Sequence, residues 1–233
     1  MNKIRNTSQR KYSLIAGFSL LAMTLTAIFA NFFVFESLVV QGDAMTTANN
    51  ISADSEKYLL GLFAFGFVIT LDFVVAWALY IFFKPVHQRV SLIAAGLRIV
   101  YGIIFAIALF SLANILLLLR ETTDSVINFE LANQIMASVN EFSNIWNFGF
   151  LFFGLHLALL GYIVFKSKFF KSKFIRMILA ILLVIAGAGY ILDTLGAFFI
   201  ANYSMEIAMF TFIGEVLLMF WLLINGGKVE SSI

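Results

Sequence analysis

Six long apolar runs alternate with shorter polar stretches along the chain, at residues 12–35, 58–83, 90–119, 146–165, 177–200 and 207–224. Each is close to or above the roughly 20 apolar residues that cross a bilayer as a helix. The pattern predicts an all-α, polytopic membrane protein, with six transmembrane helices in a single transmembrane domain over residues 1–233. The run at 90–119 exceeds the bilayer's need, so tilt or an extension beyond the membrane is expected there. The first run also exceeds the apolar core of a cleaved signal peptide, which favours an uncleaved first span.

The polar stretches set the threading. Residues 36–57 carry Glu36, Asp43, Asp54 and Glu56 against Lys57. Residues 84–89 form a basic turn around Pro85, the chain's only proline. In the polar stretch 120–145, Ile127, Leu131, Ile135, Val139 and Phe142 recur at helical spacing. That stripe predicts an external amphipathic helix at about residues 126–142, lying on the membrane or capping the bundle. Residues 166–176 hold Lys166, Lys168, Lys171, Lys173 and Arg176 and no acid. The N-terminal tail, the Pro85 turn and this loop hold almost all the loop lysine and arginine, so the positive-inside rule places both termini in the cytoplasm. Tyr12, Tyr80, Tyr162 and Trp221 then fall toward one interface and Tyr58, Trp146 and Tyr203 toward the other, as aromatic belts do.

Composition agrees. Of 233 residues, 62% are hydrophobic and 12% charged, against about half and about a quarter in soluble domains. With no cysteine, disulfides, iron–sulfur clusters and cysteine nucleophiles are excluded. The basic residues sit in short turns and make no broad surface, so no nucleic-acid partner is expected. The expected surroundings are the lipid bilayer, and a homo-oligomer or a membrane-protein partner is compatible with the chain.

The segments LDFVVAWALYIFFKPV, LRIVYGIIFAIAL, FGLHLALLGYIVFKS, ILLVIAGAGYILD and FTFIGEVLLMFWLLI occur in that order. From about Gly17 to Gly227 the chain resembles the bacterial membrane family called domain of unknown function 4386. The resemblance implies a small multi-pass protein of the bacterial inner membrane, and it carries over no catalytic residues.

Five ionisable residues fall inside apolar runs: Asp72, Arg98, His156, Asp193 and Glu215. Such residues are rare at membrane depth and mark function by default. At about 1.5 Å per residue, Asp72 and Arg98 lie roughly 16 and 12 Å from the Pro85 turn, close to level on adjacent helices. They are expected to form a structural ion pair; the alternatives are a role in transport or catalysis, and a snorkelling Arg98. His156 is the one histidine within a run, because His87 sits in the turn. A two-histidine haem site is therefore unsupported, and a zinc site built from His156, Asp72, Asp193 and Glu215 would lack the HExxH spacing. No cofactor and no metal are expected. Asp193 and Glu215 lie at similar distances from the turn near Tyr203, where they either share a proton or are bonded separately. Gly149, Gly154, Gly161, Gly187, Gly189 and Gly196 suit close helix packing. Leu-Asp recurs at 71–72 and 192–193, in the middle run of each half; inverted repeats occur in transporters, though chance accounts for a dipeptide.

These residues leave three function classes. The first is a non-enzymatic membrane protein, a small-solute transporter or an accessory subunit. The second is an intramembrane hydrolase or metal-dependent enzyme using His156 and buried carboxylates. The third is a structural or stress-related membrane partner.

Overall fold

The computed structural model describes residues 2–121, 127–200, 203 and 207–227, the side chains of residues 2–8, 121 and 209 excepted. Asp124 and Lys228, together with most of the turn at 201–206, lie outside the described residues.

All the regular structure described is helical: α1 (Asn2–Ile28), a π-helical segment (Phe29–Phe35), α2 (Glu36–Leu38), α3 (Ala44–Ala53), α4 (Ser55–Phe83), α5 (Gln88–Glu121), α6 (Phe129–Lys166), α7 (Lys173–Phe199), α8 (Ile207–Thr211) and α9 (Ile213–Ile224). A helix satisfies every backbone donor and acceptor within its own segment, which is what an apolar run in lipid requires. Five helical stretches are long and apolar enough to cross a membrane: Gln9–Leu38, Ser55–Phe83, Gln88–Arg120, Phe129–Lys166 and Lys173–Phe199. The chain is thus built as a multi-pass membrane protein. Large side chains such as Phe63, Phe110 and Phe174 are exposed on these helices, as suits lipid contact.

Three features differ from the sequence expectation. The amphipathic stretch and the fourth apolar run form one uninterrupted helix, α6, of 38 residues. No glycine or proline separates Phe129 from Trp146, so nothing breaks the hydrogen-bond ladder there. Its stripe of Leu131, Ile135, Val139 and Phe142 is buried against protein. The sixth apolar run is divided: α8 has five residues and α9 has twelve. Gly214 sits just past the division, and a Cβ there would lie 2.7 Å from the Leu182 carbonyl on α7, so α9 meets α7 backbone to backbone. Finally, the polar stretch 36–57 contains α3. Asp43 is its N-cap, accepting from the Thr46 amide at 2.9 Å.

Pro85 separates α4 from α5. Its missing N–H ends the α4 ladder, and Val86 and His87 both donate to the Phe83 carbonyl, at 2.9 and 3.3 Å.

The chain forms two compact units. The first comprises residues 1–22, 71–102 and 147–233; the second comprises 23–70 and 103–146.

In the first unit, α6 and α7 meet through small residues. A Cβ on Gly154 would lie 2.6 Å from the Gly187 carbonyl, and one on Gly161 would lie 2.7 Å from the Ala180 carbonyl. Close backbone approach of this kind gives helices in lipid their dispersion contact. At one end of α9, Arg10 on α1 donates to the carbonyls of Leu222, Leu223 and Gly226 at 3.1, 2.6 and 2.9 Å. Ser13 donates to Leu222 at 2.7 Å. The last carbonyls of a helix have no partner within it, and a cation there also answers the helix dipole.

The second unit is held differently. Phe65, Phe105, Phe142 and Trp146 form a ring cluster with centroids 4.9–6.3 Å apart. Tyr58 donates to the Leu112 carbonyl at 2.8 Å, tying α4 to α5. Val34 of the π-helical segment packs onto Gly61 of α4, where a Cβ would lie 2.7 Å from it.

Candidate functional site

Asp72 and His156, two of the buried ionisable residues of the first unit, meet at Arg98. The apolar sequence around it leaves α5 no solvent-facing route for the guanidinium, and Arg98 is 1% exposed. Its Nη2 donates to Asp72 Oδ1 at 2.6 Å, joining α5 to α4. Asp72 is equally buried, at 2%. The short turn at Pro85 keeps the two helices adjacent and puts these side chains level.

His156 on α6 completes the group. Its Nδ1 lies 2.8 Å from the Ala94 carbonyl, and its Nε2 lies 3.4 Å from Arg98 Nη1. A carbonyl can only accept, so Nδ1 carries the hydrogen. Arg98 can only donate, so Nε2 is the acceptor and the ring is neutral in this arrangement. Both nitrogens are therefore committed. Neither remains to bind a metal or to take a proton from a nucleophile.

Aromatic rings enclose the guanidinium. Arg98 Cζ stands 5.3 Å from the Phe153 centroid, within cation–π range. Phe153 in turn packs against Tyr101 and Tyr190, at 4.9 and 5.1 Å. Tyr190 on α7 is within side-chain hydrogen-bond reach of Glu215 on α9. The charges of both Arg98 and Asp72 act on Glu215. Glu215 Oε1 is buried and has no hydrogen-bond partner.

A small pocket lies beside His156, lined by Leu79, Tyr80, Ser91, Ala94 and Leu160 among others, with room for about one water molecule. Ser91 is buried and its Oγ has no partner. The His156 nitrogen that would activate it as a nucleophile faces Arg98 instead.

Asp193 has other partners. Its Oδ1 accepts from the Tyr203 hydroxyl at 2.5 Å and the Ile207 amide at 3.3 Å; its Oδ2 accepts from the Ala208 amide at 2.7 Å. A carboxylate bonded to the first amides of α8 acts as a helix cap, and it suits the positive end of the helix dipole. Asp193 and Glu215 thus have separate hydrogen-bond partners. Of the five candidate residues, Asp72, Arg98 and His156 are in direct contact, Glu215 is coupled to them electrostatically, and Asp193 caps a helix. Among the described residues no three His, Asp or Glu side chains converge as a metal-binding group.

Sequence reasoning missed Tyr101, Tyr190 and Arg10. The two tyrosines sit in the middle of apolar runs, away from the interfaces where tyrosine is ordinary, and that position was the available signal. Arg10 reads in sequence as one more tail charge.

The family model described as "Domain of unknown function (DUF4386)" matches residues 15–226. An uncharacterized protein of Archaeoglobus fulgidus is 35% identical over 175 residues, which cover 75% of this chain and 87% of the archaeal one. No solved structure matches the chain.

Proposed function

The chain belongs to the family described as domain of unknown function 4386, and on that premise we propose a non-enzymatic membrane protein, a small-solute transporter or an accessory subunit of a membrane assembly. It has six spans in one transmembrane domain, α8 and α9 together making the sixth, with both termini in the cytoplasm. Its home is the bacterial inner membrane. The observation that carries the reading is the commitment of His156: with Nδ1 on the Ala94 carbonyl and Nε2 on Arg98, the residue on which a hydrolase would rest has no free nitrogen. Ionisable residues buried in spans serve transport or helix association once catalysis is set aside.

Liposomes containing the purified chain test the transporter reading. After a hyperosmotic shock with each of a panel of sugars, polyols, amino acids and urea, light scattering should show faster re-swelling than in empty liposomes for at least one solute. Uniformly empty-liposome rates would leave the accessory role. Covalent labelling of Ser91 by a fluorophosphonate would overturn the non-enzymatic reading altogether. The threading has its own test: reporters fused after Lys173 and Lys228 should read cytoplasmic, and those in the Asp43 and Asp124 loops external. A cytoplasmic signal at Asp124 would contradict six spans.

The structural-partner reading has one observation in its favour. Asp193, which in a relay would pass protons, is bonded to a tyrosine hydroxyl and two backbone amides.

A further inference from the structure

We propose that Glu215 holds a single exchangeable proton, beside an Arg98 that stays paired with Asp72.

Arg98 is bonded to Asp72, and the charges of both act on Glu215 within the same unit: one cation is set among two carboxyls. The guanidinium cannot give up its proton. His156 cannot gain one, because an Nε2–H would point at the Arg98 donor. The aromatic and aliphatic surroundings do not solvate an excess negative charge, and a buried carboxylate without a partner neutralises instead. The group is therefore balanced when one of its two carboxyls is protonated.

Geometry selects which one. Asp72 receives the 2.6 Å bond from Arg98 and is ionised in that pairing. Glu215 receives no bond from Arg98, and its Oε1 is buried without a partner. An un-ionised carboxyl tolerates that position far better than a carboxylate does. The titratable and charged groups around it are known for each neighbouring helix. Asp72 comes from α4, Arg98 from α5 and Tyr190 from α7, and Tyr101 of α5 acts on Tyr190. His156 of α6 is held on Arg98, Arg10 of α1 is held on the final carbonyls of α9, and α8 carries no titratable residue.

The step is a plain ionisation. The Glu215 carboxyl releases H⁺ and becomes a carboxylate, and no other bond is made or broken. The new anion then lies in the field of Arg98, which stays bonded to Asp72. Tyr190, beside Glu215, can donate to the carboxylate once it forms. The site's ligand is thus the proton, and Arg98 is the counter-charge that acts on both carboxyls. In the transporter reading this proton is a coupling ion; the protonation itself does not depend on that reading.

Infrared difference spectroscopy on the full chain in lipid nanodiscs tests the proposal directly. Raising the pH from mildly acidic to alkaline should bleach one carboxylic-acid C=O band and raise a carboxylate band. Glu215→Gln should abolish that change. Arg98→Gln should add a second carboxylic-acid band, from an Asp72 left without its cation. Tyr190→Phe should shift the wild-type band without removing it, which decides the matter if Glu215→Gln does not accumulate. A wild-type protein with no pH-dependent carboxylic-acid band overturns the proposal. So does a band that survives Glu215→Gln, or one indifferent to Tyr190→Phe.

Discussion

The two units solve the same packing problem with different chemistry. The second unit, residues 23–70 and 103–146, buries no charged side chain among its described residues. Its buried polar residues are Thr47, Ser111 and Ser138, and rings fill its centre. The first unit buries Asp72, Arg98, His156 and Asp193, and sets helices against one another at glycines. Rings and hydroxyls suffice to hold helices together in an apolar medium, so the charges of the first unit are not required for packing as such. A buried ion pair is weak evidence for stability, because desolvation offsets much of its attraction. That excess of charge over structural need is why the proposed function is placed in the first unit.

The contrast makes the Asp72–Arg98 pair the most sensitive point in the molecule. Removing Asp72 leaves Arg98 charged and dry, at a cost of about 3–5 kcal/mol, and removing Arg98 forces Asp72 to take up a proton and leaves it without its hydrogen-bond donor. Arg98→Gln or Asp72→Asn should therefore sharply reduce accumulation or thermal stability. The double neutral variant should lose much less than the sum of the two, because it leaves neither charge behind. A double-mutant cycle on thermal unfolding in detergent measures the difference. Simple additivity would mean that the two side chains, though 2.6 Å apart, contribute independently.

The ring cluster should respond less. In an aqueous core, Phe→Ala costs about 3–5 kcal/mol, part of it transfer out of water. Between helices in lipid that transfer term is largely absent, and lost dispersion contact remains. Phe142→Ala, at the centre of the cluster with Phe65, Phe105 and Trp146 around it, should lower the midpoint by less than Arg98→Gln. It should leave the infrared change at Glu215 intact. A Phe142→Ala protein less stable than Arg98→Gln would reverse the ranking of the two units.

Much of this was legible in the sequence, for physical reasons. Apolar length alone reveals spanning helices, because lipid leaves the backbone no other option. Opposite charges on two runs joined by the Pro85 turn point to a contact, because a short turn forces adjacency. The split of the last run into α8 and α9 was not legible, since residues 207–224 are apolar throughout and the division is a matter of how Gly214 meets α7. The roles of Asp193 and Glu215 were open for a related reason. Equal distance from a turn says nothing about direction, and direction is what gave Asp193 to the start of α8 and Glu215 to Tyr190. The continuity of α6 was hidden because a change from amphipathic to apolar pattern looks like a boundary, whereas the helix needs only the absence of a breaker.

The smallest effect expected lies in the second unit, at α3. Asp43 accepts from the Thr46 amide at 2.9 Å and from the Thr46 hydroxyl at 2.7 Å. These bonds, the amide bond first, hold its carboxyl below the usual carboxylate range. The sign follows from linkage: a carboxyl whose pKa is lower in the folded state contributes its full stability above the unfolded value and loses it as pH falls through the folded one. The cap should therefore hold at neutral pH and fail only in acid. Asparagine caps a helix about as well as aspartate but does not titrate there, and alanine does not cap. Hydrogen exchange at the Thr46 amide, expressed as protection relative to the unfolded chain, separates the three. Wild type should lose protection in acid, Asp43→Asn should be flat, and Asp43→Ala should be low at every pH. Because the group is solvent-exposed, global stability should hardly change in any of them. An Asp43→Ala protein as protected at Thr46 as wild type would mean that α3 is held by the burial of Thr47, Ala48 and Ile51 and not by its cap.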